Sequence, residues 1–301
     1  MSRPVDRRSF LMQGAALTGA AAFASPLAAI EPITRNGKSK FKFSLAAYSY
    51  RKLLTDSSSG VTLSTFVQDC AAMGLEGTEL TSYYFPAAPE PKMLHDLRKE
   101  CFYLGLDVSG TAIRNDFGVQ DEAKLRAEID HVKKWVDYAD MLSAPVIRIF
   151  TGHVAKGDSP EASHRRMVKA MEECCDYAGQ HGVILALENH GGPTATAEGL
   201  LAFVSDINSP WFAVNLDSGN FHTEDPYGDL AKVAPYAANV QIKIVMSGPG
   251  KKGKEPADYK RLAAILKDVD YRGYIVLEYE EAGEPRAACR EHMDQLRQAF
   301  A

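Results

Sequence analysis

From residue 41 onward, short apolar and β-branched runs alternate with longer amphipathic stretches. The runs predict strands over 41–47, 77–81, 106–112, 145–150, 183–188, 211–216, 239–245 and 274–279. Apolar positions spaced three and four apart predict helices in the gaps, over 62–73, 90–104, 121–142, 159–181, 195–207, 227–237, 256–268 and 285–299. Start signals support several helices. Ser159-Pro160-Glu161 supplies an N-cap, a first-turn proline and a first-turn acid, and Asp121-Glu122 plays the same part further upstream. Three apolar stripes stop just before Gly74, Gly105 and Gly182. Strands that alternate with helices form a parallel sheet with right-handed crossovers. Eight such units without a composition break predict one closed (β/α)8 TIM barrel, over 41–301. No glycine-rich phosphate or dinucleotide fingerprint follows any strand, which argues against an open doubly wound sheet.

In such a barrel, chemistry gathers where strands end and βα loops begin. The second strand ends near Glu79. The fourth carries Arg148 and leads to His153. The fifth ends in Glu188-Asn189-His190, the sixth in Asp217 through His222, and the eighth in Glu278-Tyr279-Glu280. The period of two puts Glu188 on one face with Ala186 and Ile184, Gln241 with Lys243, and Glu278 with Val276. Carboxylates from three strands therefore converge on one pocket, with an amide among them. Acids so close do not all stay ionised without a cation. Oxygen donors suit a hard divalent ion, Mn²⁺ or Mg²⁺. The residues alone also fit a plainer reading, in which each acid caps a helix, pairs with Lys243 or Arg148, or meets water.

Glu188 in LALENHGG, Asp217 in NLDSGNF and Glu278 in IVLEYE, in this order and spacing, resemble the xylose isomerase-like TIM-barrel family of sugar isomerases and epimerases. The resemblance runs from LAAYSYR on the first strand to YRGYIVLEYE on the eighth. It implies metal ligands Glu188, Asp217, Gln241 and Glu278 on strands five to eight. Gln241 departs from the pattern, because histidine is usual there. His190 or His222 is then an alternative nitrogen ligand, or a second hydrogen-bonding group. The implied chemistry is removal of a proton next to a sugar carbonyl. Glu188 and Glu278 act as acid and base on opposite faces, and Lys243 stabilises the oxyanion or forms a plain ion pair. Glu79, His153, His190 and His222 are candidate grips on sugar hydroxyls. The same groups also suit β-elimination from a 3-keto-glycoside. A third reading is a sugar-binding barrel without catalysis.

The start of the chain changes where this chemistry is expected to happen. Asp6-Arg7-Arg8-Ser9-Phe10-Leu11 precedes an Ala- and Gly-rich run with no charge until Glu31. This resembles a twin-arginine signal peptide over 1–30 and predicts export to the periplasm. Free sugars or oxidised glycosides suit that compartment better than sugar phosphates. No other run of about 20 apolar residues is present, so no membrane span is expected after cleavage. The formal charge is −5; losing residues 1–30 removes Arg3, Arg7, Arg8 and Asp6 and deepens it to −7. Such a chain has no counterion-release affinity for nucleic acid, so the expected partner is a small carbohydrate, with an oligomer compatible. The five cysteines are odd in number, lack a CxxC pair and sit in helical patterns, which predicts buried thiols.

Overall fold

The computed structural model describes residues 30–251 and 253–301. The expected leader falls almost entirely outside the described residues. Among the described residues ten strands form, β1 Lys40–Ala46, β2 Gly77–Thr81, β3 Asp107–Ala112, β4 Val146–Ile149, β5 Ile184–Glu188, β6 Phe212–Asp217, β7 Ala237–Lys243, β8 Val245–Ser247, β9 Lys254–Pro256 and β10 Arg272–Glu278. Eight of them close a parallel barrel in the order β1-β10-β7-β6-β5-β4-β3-β2. The α-helices are α1 Arg51–Thr55, α2 Leu63–Ala72, α3 Pro91–Tyr103, α4 Glu122–Leu142, α5 Pro160–Gln180, α6 Ala197–Asp206, α7 Pro226–Val233, α8 Tyr259–Asp268 and α9 Pro285–Phe300. The expected TIM barrel is therefore present.

Local chemistry explains the boundaries. The Ser159 and Asp121 side chains accept from the backbone N–H groups of Ala162 and Lys124, closing the first turns of α5 and α4. The main departures from the expected boundaries cluster around the seventh strand. α7 stops at Val233 and tightens into a 3-10 turn over Ala234–Tyr236, because Pro235 cannot donate into an α-helical ladder. β7 accordingly begins at Ala237 and ends at Lys243, two residues earlier at each end than expected. The chain beyond it pairs β8 with β9 as an antiparallel ribbon, where the Gly- and Lys-rich sequence predicts a loop. The helix expected to start at 256 is displaced by this ribbon and starts at Tyr259, capped by Asp258.

The sheet has two faces with different contents. Leu45, Leu185, Leu187, Ile242 and Leu277 are buried in the shell shared with the helices. The barrel interior instead carries a buried polar ring. Asn239 donates to Glu79 Oε2 (3.3 Å) and Asn215 Oδ1 (2.9 Å), Asn215 donates to Gln241 Oε1 (2.7 Å), and Gln241 donates to Glu79 Oε1 (2.9 Å). This ring plugs the barrel and forms the floor beneath the mouth. All five cysteines are free and buried, as expected. No helix among the described residues is long and apolar enough to cross a membrane.

Candidate active site

The strand ends at the mouth surround a cavity of ≈ 370 Å³. Glu188, Lys243 and Glu278 line it, with Arg148, Glu280 and His190 among their neighbours. Each side chain is positioned by its strand and held by named contacts. Glu188 closes β5 and is buried; its Oε2 lies 2.9 Å from Arg148 Nε, and its Oε1 accepts from Asn220 at 2.8 Å. Asp217 closes β6 with no solvent exposure. Asn189 clasps its backbone, accepting from the Asp217 N–H and donating to its carbonyl, both at 2.9 Å. Asp217 Oδ1 accepts from the Gly219 N–H at 2.7 Å, whereas Oδ2 is buried without a hydrogen bond. Glu278 closes β10 directly beside Lys243 in the β7–β10 register.

Lys243 is the hub. Its Nζ lies 2.5 Å from Glu278 Oε2, 3.0 Å from Glu280 Oε1 and 3.4 Å from Asp217 Oδ2. The backbone N–H of Lys243 donates to Ser218 Oγ at 2.9 Å. Its stem runs over Gly219, where an added Cβ would come within 2.6 Å of the lysine Cδ. Glycine is needed there for space.

Arg148 completes the constellation. Its Nη1 donates to the Ile113 carbonyl at 2.6 Å, and the guanidinium stacks 4.1 Å over the Phe150 ring. Arg148 lies outside the candidate set that the sequence supplies, which holds carboxylates, histidines, Lys243 and Gln241. The signal was a lone charge inside the apolar run VIRIF. Asn220 and Glu280 were likewise not singled out as site residues.

The electrostatics separate the acids. Burial raises the Glu188 pKa well above the ordinary carboxylate value; Arg148 opposes this, and Asp217 adds to it. Burial likewise lifts Asp217 to about 7, against the pull of Lys243. Burial acts on Glu278 too, but the Lys243 charge and hydrogen bond outweigh it, and its pKa is lowered. Lys243 is held firmly protonated, because its carboxylate neighbours overcome its own desolvation. Desolvation, with Arg148 and Lys243 nearby, drops His190 to about 4, so this imidazole is neutral.

The remaining sequence candidates fall in different places. His190 lines the mouth and packs on Phe150, with ring centroids 4.4 Å apart. His153 lines it too, on the loop after β4, where its backbone N–H donates to Asp116 Oδ1. His222 bonds Ser247 Oγ through Nδ1 and is not among the cavity residues. Glu79 and Gln241 do not reach the mouth. Gln241 pairs with Val276 in the β7–β10 register, two residues before Glu278, so it belongs to the polar ring below. Both ends of its amide are engaged there. Glu79 is buried in the same ring, and burial, with Glu278 adding, raises its pKa to about 7. The expected sugar contact by Glu79 is thus replaced by an internal one.

The donor set decides whether a divalent ion fits. Glu188 turns to Arg148 and Asn220, and Gln241 sits a layer below. Asp217 and Glu278 remain, with the Lys243 ammonium against both. Among the described residues no group of three His, Cys, Asp or Glu is arranged to hold a metal ion. The residues as placed do not fit one.

The class is now defined: a (β/α)8 barrel with a carboxylate- and cation-lined pocket at the C-terminal ends of its strands. Residues 67–299 match the model of the xylose isomerase-like TIM barrel family, and the chain belongs to that family. An L-ribulose 3-epimerase from Methylomonas sp. (strain DH-1) is 30% identical over 129 residues, 40% of this chain and 44% of that enzyme. The chain therefore spans less than half the length of this relative. Among solved structures, a D-psicose 3-epimerase from Clostridium cellulolyticum H10 superposes with a TM-score of 0.71 at 14% identity, covering 86% of this chain and 99% of that one. A 3-keto-D-glucoside 4-epimerase from E. coli gives 0.65 at 15% identity, covering 87% and 100%. At these identities the superpositions establish the fold.

Proposed function

We propose that the protein is a sugar isomerase or epimerase that removes a proton next to the carbonyl of a sugar or keto-sugar. One observation carries this reading: Glu188 and Glu278 face a single sugar-sized cavity from strands three places apart round the barrel, with a fixed cation between them. The named activities of the similar enzymes support it. Glu278, kept ionised by Lys243, takes the proton from carbon. The C–H electron pair moves toward the carbonyl oxygen, where the Lys243 ammonium donates a hydrogen bond to the forming enediolate. Glu188, whose proton affinity burial raises, returns a proton to the other face. Acids with affinities pushed in opposite directions are suited to these two roles. A divalent Mn²⁺ or Mg²⁺ shared by Asp217, Glu188 and Glu278 would supply Lewis acidity at the same point, but only with Lys243 and Arg148 turned away.

The test is incubation in D₂O with free ketoses, aldoses and 3-keto-glycosides. An isomerase or epimerase places deuterium at the carbon it deprotonates, visible by NMR. Release of an aglycone with an unsaturated keto-sugar would assign β-elimination instead. Neither exchange nor cleavage with any of them, while the sugars still bind, would leave only a sugar-binding barrel.

For residues 1–30 we propose a twin-arginine export signal, on the strength of Arg7-Arg8 and the uncharged run that follows. Replacing both by lysine in a bacterial host is expected to hold the precursor in the cytoplasm, because paired guanidinium groups are the recognised feature. Fractionation followed by immunoblotting reads the result. Undiminished periplasmic protein in the double variant sinks the assignment.

A further inference from the structure

The site that the family pattern gives to a metal holds a covalently tethered cation instead. Four carboxylates gather here: Glu188, Glu278 and Glu280 line the cavity, and Asp217 lies buried against Lys243. Three of them converge on Lys243 Nζ within 3.4 Å. The fourth is satisfied by Arg148 and Asn220. We propose that Lys243 replaces the divalent ion of this site, so that the wild-type cluster binds no metal and its ammonium meets the substrate's carbonyl oxygen. The second half of this proposal rests on the proton-abstraction reading; the first half does not.

Four independent observations carry it. The first is space. A hard divalent ion sits about 2.0–2.2 Å from carboxylate oxygens. An ion at that distance from Asp217 Oδ2 and Glu278 Oε2 would press on Nζ, which already contacts both. An ammonium has no lone pair to offer and repels a second cation. The second is the missing fourth donor. The amide at the departing position, Gln241, has its oxygen on Asn215 and its nitrogen on Glu79, a layer below. The third is the channel for the lysine stem. Gly219 leaves open the volume that the Lys243 methylenes fill, and Ser218 pins the Lys243 backbone. The fourth is access. Lys243 lines the cavity with its side chain 11% exposed, and its stem packs on Gly219.

The test is calorimetric titration of chelator-treated protein with MnCl₂, alongside its melting temperature with and without the salt. Wild type should give no binding heat and no shift. Lys243→Met removes the cation, leaves the carboxylates and opens the space. It should bind one Mn²⁺ per chain and gain roughly 5–10 °C at a hundredfold excess over its Kd. Lys243→Gln takes its place if the methionine variant does not fold. One Mn²⁺ bound by wild type overturns the proposal. So does a folded Lys243 variant that binds none, since the carboxylates then form no cation site for Lys243 to fill. A wild type that binds no metal and also turns over no sugar leaves the first half standing and removes the proposed function.

Discussion

Glu278→Gln should leave the barrel folded and lower kcat by about 10²–10⁴-fold, with a much smaller change in KM. The amide keeps the shape and a hydrogen bond to the ammonium but loses the proton-accepting oxygen. The fold should tolerate it because Lys243 still has Asp217 and Glu280 within 3.4 Å. Glu188→Gln should cost kcat by a similar factor, but it also takes the carboxyl partner away from the buried Arg148, so its melting temperature should fall as well. The measurement is steady-state kinetics on whichever sugar exchanges deuterium, paired with thermal melts. Wild-type kcat in either variant would remove that carboxylate from the chemistry. Solvent deuterium should still enter slowly in Glu188→Gln, because the group that removes the proton is intact, while net epimerisation should be lost. That split separates the two roles.

The sequence carries the architecture because hydrophobic period and turn chemistry are local. Eight short, largely apolar runs and eight amphipathic stretches leave few ways to close a sheet, and caps such as Ser159 mark boundaries within a residue or two. The boundaries that moved did so for local reasons with longer reach. Pro235 ended α7 early, and the two-residue advance of β7 followed.

The site was only partly legible, and depth was the missing quantity. Period two places Gln241 and Lys243 on one face of β7 but does not say which lies level with Glu278. That depends on strand stagger round the barrel, which is a register between strands far apart in sequence. The register pairs Lys243 with Glu278 and Gln241 with Val276. A residue expected at the metal thus becomes part of the floor, and a residue expected beside the metal becomes the hub. Glu79 went the same way, for it lies two residues before the end of β2 and its carboxylate accepts from Asn239 and Gln241 inside the ring. Glu188 and Glu278 were legible because the apolar alternation of β5 and β10 runs right up to each of them at the C-terminal end of its strand.

Arg148→Met should destabilise the protein by about 3–5 kcal/mol at alkaline pH, where Glu188 is ionised, the cost of breaking a buried ion pair from one side. Arg148 and Glu188 are each almost wholly buried, at 6% and 4% side-chain exposure, and 2.9 Å apart. The loss also frees the Ile113 carbonyl from its 2.6 Å bond and removes the cation from Phe150. The pH dependence isolates the ionic part. Burial already raises the Glu188 pKa, and Arg148 is the strongest force holding it down. Removing Arg148 raises it further. A carboxyl with a raised folded pKa keeps its proton in the native state after the unfolded chain has released its own, above about 4.3. The native state then binds more protons, and stability falls as pH rises. This happens in both proteins but extends to higher pH in the variant. The gap between them should therefore widen from acid toward alkaline pH. Urea unfolding at several pH values measures it. Adding Glu188→Gln should close most of the pH-dependent part, because the carboxyl whose pKa Arg148 pulls down most directly is then gone, and the double-mutant cycle gives the coupling. A gap that stays constant with pH would mean that Arg148 stabilises the barrel by packing alone.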